Sequence, residues 1–533
     1  MTRPATSRIA TAAALITLGN VASRLLGLVR EQTIAALFGT TATASLFSAV
    51  SRVPAMVYDL LIGGAITAAL IPVFSEIAGR SERASGDASD TRALRDVSGA
   101  VLTLTLLVLI PVVAVLVVAA PWLIELLGVG FAPDLREQGV LLTRVALPSV
   151  VLLGAAAVLM AVLYALQRVT IPSFAAAAYN LGIIACALLL VRPFGVVGLV
   201  IGLLVGAAAQ LALQLVGLRD QLPRLSFAIR QPAVRRIMRL YAPVAAGLVV
   251  SAMVVVLDTR LASLTGDDSL AAMRYATQVV QLPLGLVATA LSFAVLPVLS
   301  RYGGAVGAGT LDSGFRDTLS LGIRTALLLI APMTVVLVVL REPVIALLFG
   351  YGAFGARDVE VTSEALLYYA PQLPFVAVDQ LLIAAFYALQ NTKLPVIVGV
   401  FGALLYAAVA IATVQGMGMA GLVLANSVQN GAHAVILFAV LALRHAGAVP
   451  RGLCAVLGRV GAAAALMALT CVAYRWMFPM PVESIMLALH LLGSLAAGGA
   501  VYAGAIALLG GEEVSLVRSI MIDRLRPRGR FTP

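Results

Sequence analysis

Fourteen apolar runs follow one another through this 533-residue chain, each near or above the ~20 residues a helix needs to cross a bilayer. They fall at roughly 9–38, 44–78, 97–128, 138–167, 171–192, 196–218, 240–265, 270–300, 318–349, 362–390, 394–414, 418–443, 452–476 and 484–510. Charged residues make up 11% of the chain, against about 25% in a soluble protein. The expected fold is therefore an all-α polytopic membrane protein with about fourteen transmembrane helices. Several runs reach thirty residues, so tilt, kinks or protruding ends are expected. Pro54, Pro148, Pro243, Pro283 and Pro371 lie inside runs, where each removes a backbone donor and favours a bend.

The net charge of +11 is distributed as a topology signal. Bases crowd alternate segments between runs: Arg3 and Arg8, then Arg80 to Arg95, Arg168, Arg219 to Arg239, Arg301 and Arg316, Lys393, Arg444 and Arg451, and finally Arg524 to Arg530. The intervening segments are poorer in base or acidic, as at Asp267 and Asp268. This pattern predicts a multi-pass protein of the cytoplasmic membrane with both termini cytoplasmic. It also makes nucleic acid a poor partner and membrane lipid the expected one. Gln221 to Arg239 reads as a basic surface helix near anionic headgroups. The first run lacks a clear cleavage site and reads as a retained span. Cys186, Cys454 and Cys471, like His433, His445 and His490, are scattered without metal-ligand spacing. No Walker A sequence or other enzyme constellation occurs, so no catalytic activity is expected.

The chain repeats itself. Tyr164-Ala165-Leu166-Gln167 returns as Tyr387-Ala388-Leu389-Gln390, with Pro148 and Pro172 matched by Pro371 and Pro395. Pro121 matches Pro343, and Pro72-Val73-Phe74-Ser75 matches Pro297-Val298-Leu299-Ser300. All are offset by 222 to 225 residues in the same order, which marks a duplication. Six spans fit in each copy, so the copies insert the same way up as parallel repeats, an arrangement that places substrate between lobes. The expected organisation is a six-helix lobe over 1–218, a basic cytoplasmic linker helix over 219–239, a second lobe over 240–447, and two additional helices with a basic tail over 448–533. Gly198, Gly202 and Gly206 read as close helix packing.

The charges inside the runs carry the functional information. Arg24, Arg30 and Glu31 lie in the first run, and Arg52 and Asp59 in the second. A charge at the centre of a span costs roughly 2.5–3.5 kcal/mol on insertion scales, so such residues face a protein interior or a wet cavity. Two arginines there point to an anionic guest; the bland alternative is that they snorkel to the interface. Arg52 and Asp59, seven apart and nearly on one helix face, either form an internal ion pair with the first span or line a cavity wall. Asp258 in the seventh run either binds a coupling cation or pairs with Arg260 or Arg274. Asp379 in the tenth run is either packing polarity or an ion-coupling group.

The stretch Ser23-Arg24-Leu25-Leu26-Gly27-Leu28-Val29-Arg30-Glu31, continuing to Phe38-Gly39, resembles the opening signature of the MurJ (MviN) family of the multidrug/oligosaccharidyl-lipid/polysaccharide exporter superfamily. Asp258 to Ser263, Tyr275-Ala276, Gln281 to Gly285, Phe349 to Phe354 and Tyr387 to Gln390 are similar to its later spans. The resemblance implies a lipid II flippase that carries undecaprenyl-pyrophosphate-linked glycan across the membrane for peptidoglycan synthesis. It implies that Arg24 and Arg30 contact the pyrophosphate or help set the cavity's positive field, and that Glu31 orients them; Arg52, read from the charges inside the runs, is placed in the same substrate-binding site. Asp258 stands where some members have an acid of a sodium site. No cofactor is implied beyond a coupling cation, sodium or a proton, and cell-wall synthesis proteins are the implied protein partners. The chain departs from the family pattern at Ser45, at Tyr58 and Asp59, and at Thr277 and Gln278, where members often carry an acid, a basic pair and Asp-Arg respectively. The cavity is accordingly expected to be less positive, and a cation-coupled small-molecule exporter or a flippase for another polyprenyl-linked glycan is the alternative reading.

Overall fold

The computed structural model describes residues 5–64, 69–83, 88–228, 230–303, 311–445, 452–481 and 483–509, with side chains at 5–17, 80–83, 88–92, 243, 293 and 303 excepted. Arg3, Arg451 and the basic tail from Arg524 to Arg530 lie outside the described residues, as do the side chains of Arg8, Arg80, Arg83 and Arg92. Every expected run is helical where described. Thirteen helical segments among the described residues are long and apolar enough to span. The first run coincides with α1 (Ala5–Phe38), a continuous helix of 34 residues. The chain is a multi-pass, all-helical membrane protein.

Two compact units form, Met1–Arg274 with Tyr351–Asp358, and Tyr275–Gly350 with Val359–Pro533. The first holds α1, α2 (Ala42–Tyr58), α3 (Ile71–Arg83), α4 (Ala88–Val118), α5 (Ala120–Leu127), α6 (Pro133–Ala146), α7 (Ser149–Ala165), α8 (Thr170–Ser173), α9 (Ala175–Phe194), α10 (Val196–Gly217) and α11 (Pro232–Ser263). Its end falls within α12 (Ser269–Pro283). The antiparallel pair α9 and α10 packs backbone to backbone. A Cβ on Gly198 would meet Leu190 at 2.7 Å, and one on Gly202 would meet Ile183 Cα at 3.1 Å. Small residues here admit the neighbouring backbone.

The second unit holds α13 (Thr289–Gly303), α14 (Ser313–Val339), α15 (Arg341–Phe349), most of α16 (Ala356–Tyr369), α17 (Leu373–Ala388), α18 (Lys393–Met417), α19 (Met419–Arg444), α20 (Leu453–Met477) and α21 (Ser484–Leu509). The last two helices dock on α14 and α15. Tyr502 Oη donates to Leu328 O at 2.8 Å, and Arg475 donates to Val339 O and to Glu342 Oε2, each at 2.7 Å.

The duplication is visible in the backbone. Gln167 and Gln390 both adopt φ 57°, and no other non-glycine residue among the described ones has positive φ. Gln167 N donates to Tyr164 O and Gln390 N to Tyr387 O, each at 3.0 Å; Arg168 N and Asn391 N reach back to Leu163 O and Phe386 O at 2.9 Å. Both turns are left-handed helix ends of one geometry. Gly195 (φ 57°, ψ −140°) and Gly418 (φ 56°, ψ −133°) repeat in the same way at the α9–α10 and α18–α19 corners, in a region open essentially to glycine alone. A π-helical turn at Asp59–Gly63 has its counterpart at Leu284–Ala288. Four of the five prolines mark an irregularity. Pro54 and Pro283 precede these π turns, Pro148 separates α6 from α7, and Pro371 sits in a 3₁₀ turn between α16 and α17. Helix α11 runs through Pro243 without a break.

Two expectations need correction. The linker over 219–239 is not one helix: residues 222–228 are irregular, and helix begins only at Pro232, in the N-terminal position where a missing N–H costs nothing. The irregular stretch is held on α4 instead. Arg95 Nε donates to Leu222 O at 3.2 Å and Ser226 N to Thr103 Oγ1 at 3.0 Å, while the backbone of Arg224 crosses directly over Gly99, where a Cβ would not fit. The compact units also divide at Arg274 rather than in this linker. The reason is that α11 and the start of α12 are tied to the first unit by polar side chains: Arg52 to Asp258, Glu31 to Arg274, Arg260 to Leu126 O and Gly130 N to Ser263 Oγ.

Candidate functional site

The first unit centres on one carboxylate. Glu31 on α1 has 1% of its side chain exposed. Its Oε1 accepts from Arg30 Nε at 3.0 Å, Arg30 Nη2 at 2.5 Å and Arg274 Nη2 at 2.9 Å; its Oε2 accepts from Arg274 Nε at 2.7 Å. A buried carboxylate loses several kcal/mol of hydration, which close pairing with two guanidinium groups offsets. The outer faces of the arginines are fixed in turn. Arg274 Nη1 donates to Ser51 Oγ at 2.9 Å, and its guanidinium lies 5.0 Å from the centre of the Phe47 ring. Arg30 Nη1 donates to Asn180 Oδ1 at 2.9 Å, and Asn180 Nδ2 donates to Ser23 O at 3.1 Å. Four helices, α1, α2, α9 and α12, therefore meet at one cluster with a formal charge of plus one. Arg30 and Arg274 remain 20% and 19% exposed while Glu31 is covered, so the positive groups are the accessible part.

Arg24 lies on α1 six residues before Arg30 and is half-buried. Arg52 on α2 reaches across to α11: Nη1 donates to Asp258 Oδ2 at 2.9 Å and to Thr259 Oγ1 at 2.6 Å. Arg52 is thus a partner of Asp258, while Arg260 donates to Leu126 O and Arg274 holds Glu31. A guanidinium stands where the resemblance implied a cation. Arg52 does not turn along its own helix to Asp59, which lines a cavity of about 400 Å³ with Ser23, Ser51, Tyr58, Tyr179 and Gln210. Ser23 and Ser51 belong both to this cavity and to the contacts of the arginine cluster. The structure brings Arg30 and Glu31 together and joins Arg52 to Asp258.

Arg274 is the residue that sequence reasoning missed as a site member. A signal existed. The chain lacks the family's charged pair at Thr277 and Gln278, and Arg274 stands one helical turn earlier on the same face.

A family model described as lipid II flippase MurJ matches residues 34–492, beginning three residues after Glu31. The chain is 31% identical over 397 residues to a probable lipid II flippase MurJ of Haemophilus influenzae, covering 71% of this chain and 76% of that protein. It is 32% identical over 390 residues to a probable lipid II flippase MurJ of Vibrio cholerae, covering 71% and 72%. Among solved structures it resembles a lipid II flippase MurJ in an inward closed conformation, with a TM-score of 0.77, 20% identity and coverage of 96% and 100%. An inward-facing multidrug-resistance MATE family transporter of the MOP superfamily superposes with a TM-score of 0.66 at 17% identity, covering 78% and 93%. At these identities the two structures speak for the fold alone.

Proposed function

This chain belongs to the lipid II flippase MurJ family, and from that premise we propose that it moves lipid II across the cytoplasmic membrane by alternating access. The observation that carries the reading is the pair Arg30 and Arg274, two guanidinium groups held at membrane depth by one buried carboxylate. Guanidinium groups match phosphate oxygens in planar, bidentate geometry. At an effective dielectric of ~20, one charge pair at 4 Å is worth about 4 kcal/mol. Two unopposed arginines would trap a pyrophosphate; Glu31 lowers the cluster's charge to plus one and keeps binding reversible. The protein makes and breaks no covalent bond in this cycle, so its task is to bind, shield and release.

Arg24 adds to the field on the same helix. The Arg52–Asp258 pair links α2 to α11 in the conformation described; Asp258 takes up a coupling cation only when Arg52 lets go of it. Both termini face the cytoplasm, in keeping with the alternation of bases between spans. The deciding experiment is complementation in a flippase-depleted bacterium. Wild type rescues growth, whereas Arg30→Ala and Arg274→Ala do not, with membrane levels equal to wild type. Normal growth of both variants would remove the cationic site from the mechanism.

A further inference from the structure

In the second unit, Asp379 on α17 and His433 on α19 form a pair the site above does not use. His433 Nδ1 lies 2.7 Å from Asp379 Oδ1, and Nε2 lies 3.3 Å from the carbonyl oxygen of Pro395 in the first turn of α18. Both partners are acceptors. In a neutral ring, an Nδ1–H on Asp379 turns the Nε2 lone pair on the Pro395 oxygen, whereas an Nε2–H on Pro395 leaves Nδ1 as a bare lone pair. That lone pair would oppose a carboxylate lone pair at 2.7 Å unless a further proton lies between them. Whether nitrogen or oxygen carries that proton, the occupied pair is neutral overall and satisfies every contact. Without it, the pair carries a full negative charge inside a spanning segment, where charge is costly.

Among the described residues, no other charged side chain pairs with either partner. Charged side chains on the helices packed against this pair are Arg301 on α13, Arg316, Asp317 and Arg324 on α14, Lys393 on α18 and Arg444 on α19. None forms an ion pair with Asp379 or His433 among the described residues. The phenols on α17 and α18 are Tyr387 and Tyr406. The side chains of His433 and Asp379 are 14% and 16% exposed, so the pair is shielded but not sealed.

We propose that Asp379 and His433 form a proton-binding site, occupied in this conformation, that ties α17, α18 and α19 at one point and releases them when the proton leaves. The proton passes from water to the shared Nδ1–Oδ1 position and returns to water, with no other bond changed. That its passage drives transport rests on the flippase reading; the site itself does not.

The chain has only three histidines, so ring-labelled histidine can be followed by nitrogen NMR in the full-length protein in lipid nanodiscs, with His433→Gln identifying the signal. Expected is a pH-dependent change of the His433 ring nitrogens that shifts or vanishes in Asp379→Asn. A ring signal constant from pH 5 to 9, or one identical in Asp379→Asn, overturns the site. In proteoliposomes with a one-unit pH gradient and no potential, the transbilayer ratio of lipid II reached with wild type should shift about tenfold, the equivalent of 1.4 kcal/mol from one coupled proton, and the shift should be absent in both variants. An equal shift in the variants overturns the coupling. Wild-type protein that moves no lipid II under any condition defeats the flippase reading instead, and the NMR result still decides the proton site.

Discussion

Glu31 shows how much one side chain organises. Both of its oxygens are occupied by arginines from α1 and α12, which are far apart in the chain. Removing one member of a buried ion pair strands the rest and costs roughly 3–5 kcal/mol. Glu31→Ala should therefore lower the melting temperature in detergent and abolish rescue. Arg274→Lys keeps the charge but not the fork: a single ammonium cannot reproduce contacts to both Glu31 oxygens and to Ser51 along two edges. It should lose rescue with a smaller loss of melting temperature than Glu31→Ala. A Lys variant that rescues fully would show that charge alone suffices. At this scale Arg30 and Glu31 were legible because charge inside an apolar run is conspicuous. Arg274 was not, because its importance lies in whom it touches.

Elements end where side chains and backbone agree. Gln167 and Gln390 hold left-handed backbone at helix ends, a conformation that costs an L-residue with a Cβ roughly 1–2 kcal/mol. Replacing either by Gly should keep or raise the melting temperature, and replacing either by Val should lower it; equal effects of Gly and Val would argue against strain at these turns. Next to the first of them, Arg168 grips Asp220 with Nη1–Oδ1 at 2.6 Å and Nη2–Oδ2 at 2.5 Å, and donates also to Gly217 O at 3.1 Å. These bonds join the ends of α7 and α10 outside the spans. Hydrogen bonding from Arg168 holds the Asp220 carboxyl down at about 2. The folded value lies below the ordinary one, so the clasp is complete above pH ~4 and is lost as pH falls through about 2. Carbon NMR of the Asp220 carboxyl should titrate near 2 in wild type and return to the ordinary carboxylate range in Arg168→Gln.

Across the whole chain, the repeat governs the architecture and the polar contacts modify it. Duplicated corners at Gln167 and Gln390, and at Gly195 and Gly418, recur because each copy turns its helices with the same backbone solution. The glycine pair is equally present in the sequence but is inconspicuous among 47 glycines. Reporter fusions to the N-terminus, to the C-terminus and to the 477–483 loop test the topology. Both termini should report cytoplasm and the loop the far side; a periplasmic terminus would overturn the even-span arrangement.

The sequence by itself determined the apolar spanning runs and their duplication, because those follow from local apolar length and from residues compared with themselves at a fixed offset. The polarity of the charged first span was also local information. Only the tertiary structure decided that Arg52 faces Asp258, that Arg274 completes the Glu31 cluster, and that residues 222–228 lie along α4 instead of forming a helix. Each of these depends on which helices approach one another. A buried charge takes the nearest geometrically suited partner, and nearness between residues 31 and 274 is a property of packing that no local pattern encodes.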